Sequence, residues 1–304
     1  MRIVSLVPHA TELLFALGLD EEVVAVTHEC DHPPAALQRA RITRDVLPAG
    51  LSAGEIDAAV RERTLAGEAI YELDRDALAA ARPDLIVTQA LCPVCAVSYD
   101  DVASIASELP GDPRVIALDP ATFGETHSDV RVVAAATRRE AQGERLLADA
   151  ARRVERVQRA VAGLERVRAL ALEWLDPPFV AGHWTPQMIE LAGGEDVAGS
   201  PGEPSQRSDW ATLAATDADV AIVMPCGYDA PRAHAEARTH RDALAPLSLR
   251  RTVAVDASAY FSRPGPRLID GLELLAHILH PEAVPAPPAR ACALEVELVR
   301  TPSR

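Results

Sequence analysis

Four of the five cysteines stand where thiols do chemistry. Cys92 and Cys95 form a Cys-x-x-Cys, a spacing that suits a redox dithiol or two ligands to one metal. Cys30 and Cys226 sit in two other polar segments, and four thiolates together would make a set for zinc or an iron–sulfur cluster. The competing use of a small thiol is packing in a buried loop, and both readings stand at this point. His183 comes just before Trp184. Imidazole is a usual axial ligand to haem iron or to cobalt, and the alternative is a histidine bonded to loop backbone. His9, His28 and His32 pose the same choice. Trp184, Tyr228 and Tyr260 offer flat apolar faces of the kind that wall a large ring ligand, whereas Trp210 and Phe261 read as packing. Arg263 and Arg267 flank one loop and can meet a ligand carboxylate or phosphate. Thr11-Glu12 reads as helix capping, Asp31 as a group orienting its turn, and Cys292, on the tail, has no assigned role.

These residues cluster because of the elements around them. Short β-branched runs at 2–7, 22–27, 83–88 and 114–118 read as strands, with helical patterns at 10–17, 52–65, 75–81 and 98–109 between them. A second series follows, with strands at 167–174, 219–224 and 252–256. Thr185-Pro186 opens a helix, Gly193-Gly194 closes it, and 267–279 is strongly amphipathic. Alternating strands and helices predict mostly parallel sheets, and ligands bind such sheets outside the carboxyl ends of the strands. The polar segments 8–12, 27–34, 88–98, 182–184, 225–229 and 258–261 fall at those ends.

From Glu125 to Leu164 there is no Pro, and apolar positions Leu147, Ala150, Val154, Val157, Val161 and Leu164 repeat at three and four. Asp149/Arg153 and Glu155/Arg159 place opposite charges at i,i+4. One helix of about 38 residues would be roughly 55 Å long, a rigid spine. The expected organisation is an α/β chain of two Rossmann-like lobes: a lobe at 1–124, the spine at 125–165, a second lobe at 166–282, and a Pro-rich link and tail at 283–304. Residues 291–299 alternate like an edge strand.

The chain resembles the substrate-binding proteins of ABC importers for vitamin B12, haem and siderophores, and most closely the cobalamin-binding ones. The resemblance rests on Ile-Val-Ser-Leu-Val-Pro-x-Ala-Thr-Glu at 3–12, Thr-x-x-Cys-Asp-x-Pro-Pro at 27–34, Leu-x-x-x-x-Pro-Asp-Leu-Ile-Val-Thr at 78–88 and Phe-Ser-Arg-Pro-Gly-Pro-Arg-Leu-Ile-Asp-Gly at 261–271. It covers about residues 1–282. Position 9, usually small in this motif, is His here. The resemblance implies non-covalent binding of cobalamin or a related corrinoid in a largely preformed cleft between the lobes. His9, His28, Cys92, His183, Trp184, Cys226, Tyr228, Tyr260 and Arg263 would be the contacts. A haem on His183, or a metal, zinc or iron–sulfur centre on Cys30, Cys92, Cys95 and Cys226, is the alternative. An ABC permease is the implied partner if the protein is exported.

Composition bounds these readings. The 304 residues are 48% hydrophobic and 25% charged, an ordinary globular balance. A formal charge of −15 argues against non-specific binding to nucleic acid or an anionic membrane. All 30 basic side chains are Arg, with no Lys, which excludes lysine Schiff-base and P-loop chemistry. Signatures such as Gly-x-Gly-x-x-Gly, His-Glu-x-x-His and Gly-x-Ser-x-Gly are absent, so a non-enzyme is expected. His9 and Glu12 interrupt the first apolar run, and no stretch of about 18 apolar residues follows. The expectation is a cytoplasmic protein, or a periplasmic or extracellular one if a leader has been removed.

Overall fold

The computed structural model describes residues 1–90 and 99–297. The chain divides into two compact units, 1–120 with 127–146, and 121–126 with 147–304.

The first unit carries β1 (Ile3–Ser5), α1 (Pro8–Ala16), β2 (Val23–Val26), β3 (Ala40–Arg41), β4 (Thr43–Asp45), α2 (Ala53–Leu65), β5 (Tyr71–Leu73), α3 (Arg75–Ala81), β6 (Leu85–Gln89), α4 (Tyr99–Glu108) and β7 (Arg114–Leu118). Its main sheet runs β3-β2-β1-β6-β7, with every pair parallel. Apolar residues fill both faces, as a parallel sheet requires. Ile3, Leu85 and Val87 pack with Leu13, Leu14 and Leu17 of α1 on one side. Val4 and Ile86 pack with Leu78, Val102 and Ile105 on the other. The chain moves outward from β1 through β2 to β3, then returns to β6 on the opposite side of β1. The order therefore reverses at the β1/β6 pair.

The expected single spine is two helices, α5 (Phe123–Thr137) and α6 (Glu140–Val161). Arg138 takes a left-handed φ of +58° and ends α5. A Cβ built on Gly143 would lie 2.8 Å from Ala134 Cβ. In one straight helix these nine positions would be about 13 Å apart, so the chain folds back and the missing side chain at 143 permits the close approach. Each helix keeps its own apolar face, which is why periodicity alone did not reveal the break. The division between the units falls within both helices, not at the expected boundaries of 124 and 165.

The second unit adds β8 (Val167–Leu175), β9 (Pro178–Val180), α7 (Thr185–Leu191), β10 (Gly194–Asp196), β11 (Gln206–Arg207), α8 (Trp210–Ala214), β12 (Val220–Val223), α9 (Ala230–Thr239), α10 (Arg241–Leu244), β13 (Arg251–Val255), α11 (Ala257–Tyr260), α12 (Leu268–Leu279) and β14 (Ala293–Glu295). Its sheet runs β11-β9-β8-β12-β13-β14, and β10 also pairs with β8. The β10, β8, β12 and β13 pairings are parallel, while β9, β11 and β14 join antiparallel. Here the order reverses at β8/β12. The tail thus contributes an edge strand to this sheet, within the stretch 291–299 whose alternation suggested one. The helix expected to be capped by Thr185 instead begins at Thr185, with Trp184 at the N-cap and no side-chain cap.

Helix α12 is buried nearly all round, its polar residues Asp270, Glu273 and His277 forming one stripe. Arg153 of α6 meets that stripe. Its Nη2 donates to Asp270 Oδ1 at 2.5 Å and Glu273 Oε2 at 2.7 Å, and its Nε donates to Glu273 Oε1 at 3.0 Å. The expected Asp149–Arg153 pair is replaced: Asp149 bonds Arg152 at 2.8 Å, while Glu155 and Arg159 do pair, at 3.5 Å. The two carboxylates raise the affinity of the guanidinium for its proton. Removing Arg153 takes from Asp270 the cation it pairs with and leaves Glu273 to Arg156, at 3.3 Å, so Arg153→Ala should cost roughly 1–3 kcal/mol in urea unfolding. The exposed Arg152→Ala should stay within about 0.5 kcal/mol of the parent.

Candidate functional site

In the first unit, α1 begins directly after β1, and its first turn is buried: His9 is 3% and Glu12 4% exposed. Thr11 Oγ1 donates to Ser5 Oγ at 2.8 Å and lies 3.1 Å from Cys30 Sγ, which is 3.3 Å from Thr27 Oγ1. Cys30 is buried within the apolar cluster of α1, β1 and β2. Thr11 thus ties the first turn of α1 to the turn after β2. Capping, the role expected of it, is not its main contact. His28 is half-buried and held by Thr43, whose Oγ1 accepts from the His28 backbone N–H at 3.1 Å and meets Nδ1 at 2.7 Å. Its ring packs on Tyr71 at 5.2 Å. The Thr88 hydroxyl and the Gln89 amide nitrogen, at the carboxyl end of β6, are buried without a hydrogen-bond partner among the described residues. Cys92 and Cys95 lie outside the described residues. Among the described residues no group of three or more His, Cys, Asp or Glu side chains is placed to hold a metal ion.

In the second unit the strand-end loops are joined by hydrogen bonds. Between Leu172↔Val180 and Trp174↔Phe179, β8 advances two residues while β9 advances one. Glu173 is therefore the extra residue of a β-bulge, a device that re-aims side chains next to sites. The Cys226 backbone N–H donates to the Glu173 carbonyl at 3.1 Å, which joins the β8 and β12 ends at the reversal point of the sheet. The Ser205 hydroxyl donates to the Glu173 carboxylate. Burial pushes the Glu173 carboxyl up to about 7, against the opposing pull of that hydroxyl. Glu173 was not among the expected contacts, and its only trace in the sequence is an acid interrupting the apolar run 167–175.

His183 lies in the adjoining loop. Its N–H donates to Glu203 O at 2.6 Å, and its carbonyl accepts from Gly202 N–H at 2.9 Å. It adopts a left-handed φ of +51°, as do Arg82, Asp112, Arg138, Asp217 and Ser248, a conformation uncommon for non-glycine residues. A Cβ on Gly182 would lie 2.3 Å from Glu203 O and 2.6 Å from Ser205 N. Glycine is thus required for segment 203–205 to press against 182–183, and that contact also seats Ser205 over Glu173.

Trp184 and Tyr228, expected to form an aromatic wall, are both buried in the second unit. Trp184 is 5% exposed, and its Nε1 donates to Phe261 O at 2.8 Å, fastening the loop after β13. Tyr228 is 3% exposed in the core of this unit, edge-on to Trp174 at 5.4 Å, with the Arg232 guanidinium 3.7 Å from its ring centroid. Both pack within this unit and fasten its strand-end loops. Trp210 and Phe261 pack, as expected. Tyr260 is half-buried, and its hydroxyl is pushed up to about 12 by burial and by Cys292, against the pull of Arg267. Arg263 is half-buried, and Cys226 is exposed at the β12 end.

The Glu173 shift carries a sign that can be measured. From the ordinary value of 4.5 up to about 7, the folded chain keeps a proton that the unfolded chain releases. That contribution is complete below the unfolded value and is lost as pH rises through about 7. Relative to the parent, Glu173→Gln should therefore gain stability between about pH 5 and about pH 8, by up to about 3 kcal/mol. Chemical unfolding of both proteins across that range reads the difference.

Known proteins place this architecture. Over its full length the fold matches a periplasmic haem-binding protein from Pseudomonas aeruginosa, with a TM-score of 0.72 at 20% identity, covering 99% of each chain. The periplasmic vitamin B12-binding protein of Vibrio cholerae matches with a TM-score of 0.65 at 20% identity, over 91% of this chain and 96% of that one. A periplasmic haem-binding protein from Roseiflexus gives 0.67 at 21%, over 93% and 98%. At these identities the likeness establishes the fold. In sequence, a 41-residue stretch is 51% identical to vitamin B12-binding proteins of Vibrio cholerae serotype O1, and it spans 14% of this chain and 15% of the length of those relatives. The family model described as periplasmic binding protein matches residues 3–244, and with the two α/β units above, the chain belongs to the periplasmic binding protein family.

Proposed function

We propose that this protein binds cobalamin or a related corrinoid, non-covalently and without turnover, through the loops at the carboxyl ends of its parallel strands. The reading is carried by the 41-residue stretch that is 51% identical to vitamin B12-binding proteins. What supports it physically is the density of polar groups at those ends: His9 and Gln89 in the first unit, Glu173, His183 and Cys226 in the second. A corrinoid presents an apolar ring with a rim of hydrogen-bonding groups, and sites for such ligands pair apolar surface with a few placed polar groups. The residues proposed as contacts are His9, His28, Cys92, His183, Cys226, Tyr260 and Arg263, together with Glu173. Trp184 and Tyr228 act as the supports behind them. On this reading the partner that takes the ligand onward is a membrane permease of the importer class.

A second reading, haem binding with His183 as axial ligand, is favoured by one observation. A half-buried imidazole is held in a left-handed backbone conformation at a strand-end loop, an expense in backbone energy of the order of 1–3 kcal/mol that recurs at ligand clamps.

The test is an absorption spectrum of purified protein mixed with cyanocobalamin or haemin, then desalted. Retention of the corrin bands near one equivalent, with haemin lost, is the expected result. A retained Soret band that His183→Ala abolishes, with cobalamin lost, would replace the corrinoid reading by the haem reading.

A further inference from the structure

The second unit contains an acid whose surroundings are built for a hydrogen-bond donor. Glu173 is the bulged residue of β8, at the point where the strand order reverses. Strand alternation puts Leu170, Leu172 and Trp174 in the cluster that also holds Tyr228 and Ala233 of α9. Glu173 therefore points to the opposite face, where segment 203–205 and the Gly182–His183 loop lie. An ionised carboxylate has room for about four hydrogen bonds. Ser205 supplies one, and among the described residues no neighbouring cation takes part in holding the charge. The residue keeps partial exposure, so a ligand can reach it. A desolvated carboxylate with unmet acceptor capacity gains from a neutral N–H donor. It is penalised by a second carboxylate, which offers no proton and adds like charge.

We propose that Glu173, oriented by Ser205, is a specificity-determining residue that accepts a hydrogen bond from a peripheral amide N–H of the ring ligand and rejects rings bearing carboxylate at that place. This rests on the reading of the protein as a binder of large rings. It names what the second unit recognises: the amide-bearing rim of a corrinoid, as opposed to the carboxylate-bearing rim of a porphyrin or a corrin acid. The glycine at 182 belongs to the same device, since any Cβ there would displace Ser205 from its seat.

A matched pair of probes isolates the rim from the ring. Dicyanocobinamide carries amides around the corrin, and dicyanocobyrinic acid carries carboxylates on the same ring. At about pH 8, where Glu173 is ionised, the parent should bind the amide ring at least about tenfold more tightly than the acid. Glu173→Gln keeps the shape, removes the charge and adds an N–H donor. It should shrink that ratio by about tenfold or more, through severalfold weaker binding of the amide ring, for which a neutral amide oxygen is the poorer acceptor, and through tighter binding of the acid. Ser205→Ala, which keeps the charge and frees its orientation, should weaken the amide ring severalfold and still reject the acid. An unchanged ratio in Glu173→Gln, with both proteins binding the amide ring, overturns the role of Glu173 and leaves the binding function standing. If Glu173→Gln fails to fold, a Ser205→Ala protein with parent affinity for the amide ring overturns the role. A folded parent that retains neither corrin ring overturns the corrinoid reading and this inference together.

Discussion

Strand β8 shares one of its edges between two partners, and the second unit is arranged around that division. Its first three residues pair in parallel with β10, its last residues pair antiparallel with β9, and its other edge pairs with β12. Buried backbone groups must be bonded, so the handover from one partner to the other has to be closed locally. The Ala181 N–H closes it by donating to Ala171 O at 3.0 Å. The bulge at Glu173 follows within two residues, and the Cys226 N–H claims the carbonyl that the bulge exposes. The same few residues thus keep the sheet continuous and place a carboxyl at its working end.

The acid excess has a structural use as well as a surface one. Asp74, Asp209, Asp229 and Asp256 each accept a hydrogen bond from a backbone N–H in the first turn of a helix, at 2.8 to 2.9 Å. This satisfies donors that helix geometry leaves open. Others, such as Asp270 and Glu273, bind arginines between helices. Arginine suits this role because its planar fork engages two carboxylates at once, as Arg153 does. Glu173 stands apart from both uses.

The strands were legible because parallel sheets buried on both faces leave continuous β-branched runs. Pro83–Thr88 and Arg114–Leu118 were read within one or two residues of β6 and β7, and 267–279 was read as the buried α12. The short antiparallel β9 and β11 have too few residues to carry a pattern, and their existence depends on pairing with β8. The break at Arg138 has no Gly or Pro to announce it. It goes with the fit of Gly143 on Ala134, which is a contact across a fold. Aromatic residues after strands suggested ring walls. Whether a Trp or Tyr faces a ligand or the interior depends on its neighbours, and Phe261 and Trp174 turn Trp184 and Tyr228 inward. His183 was legible as a residue, but not the left-handed backbone that makes it unusual.

The short β14 has a consequence for anyone cutting the gene. Its pairing with Val253–Val255 covers the outer edge of β13, where four consecutive residues, Thr252–Val255, are buried. A chain shortened to the last long helix would look complete by its family resemblance, yet it would carry an open, flat, apolar strand edge. Such an edge is a template for another chain. The segment that adds least to recognition of the fold is therefore the one that closes this strand edge.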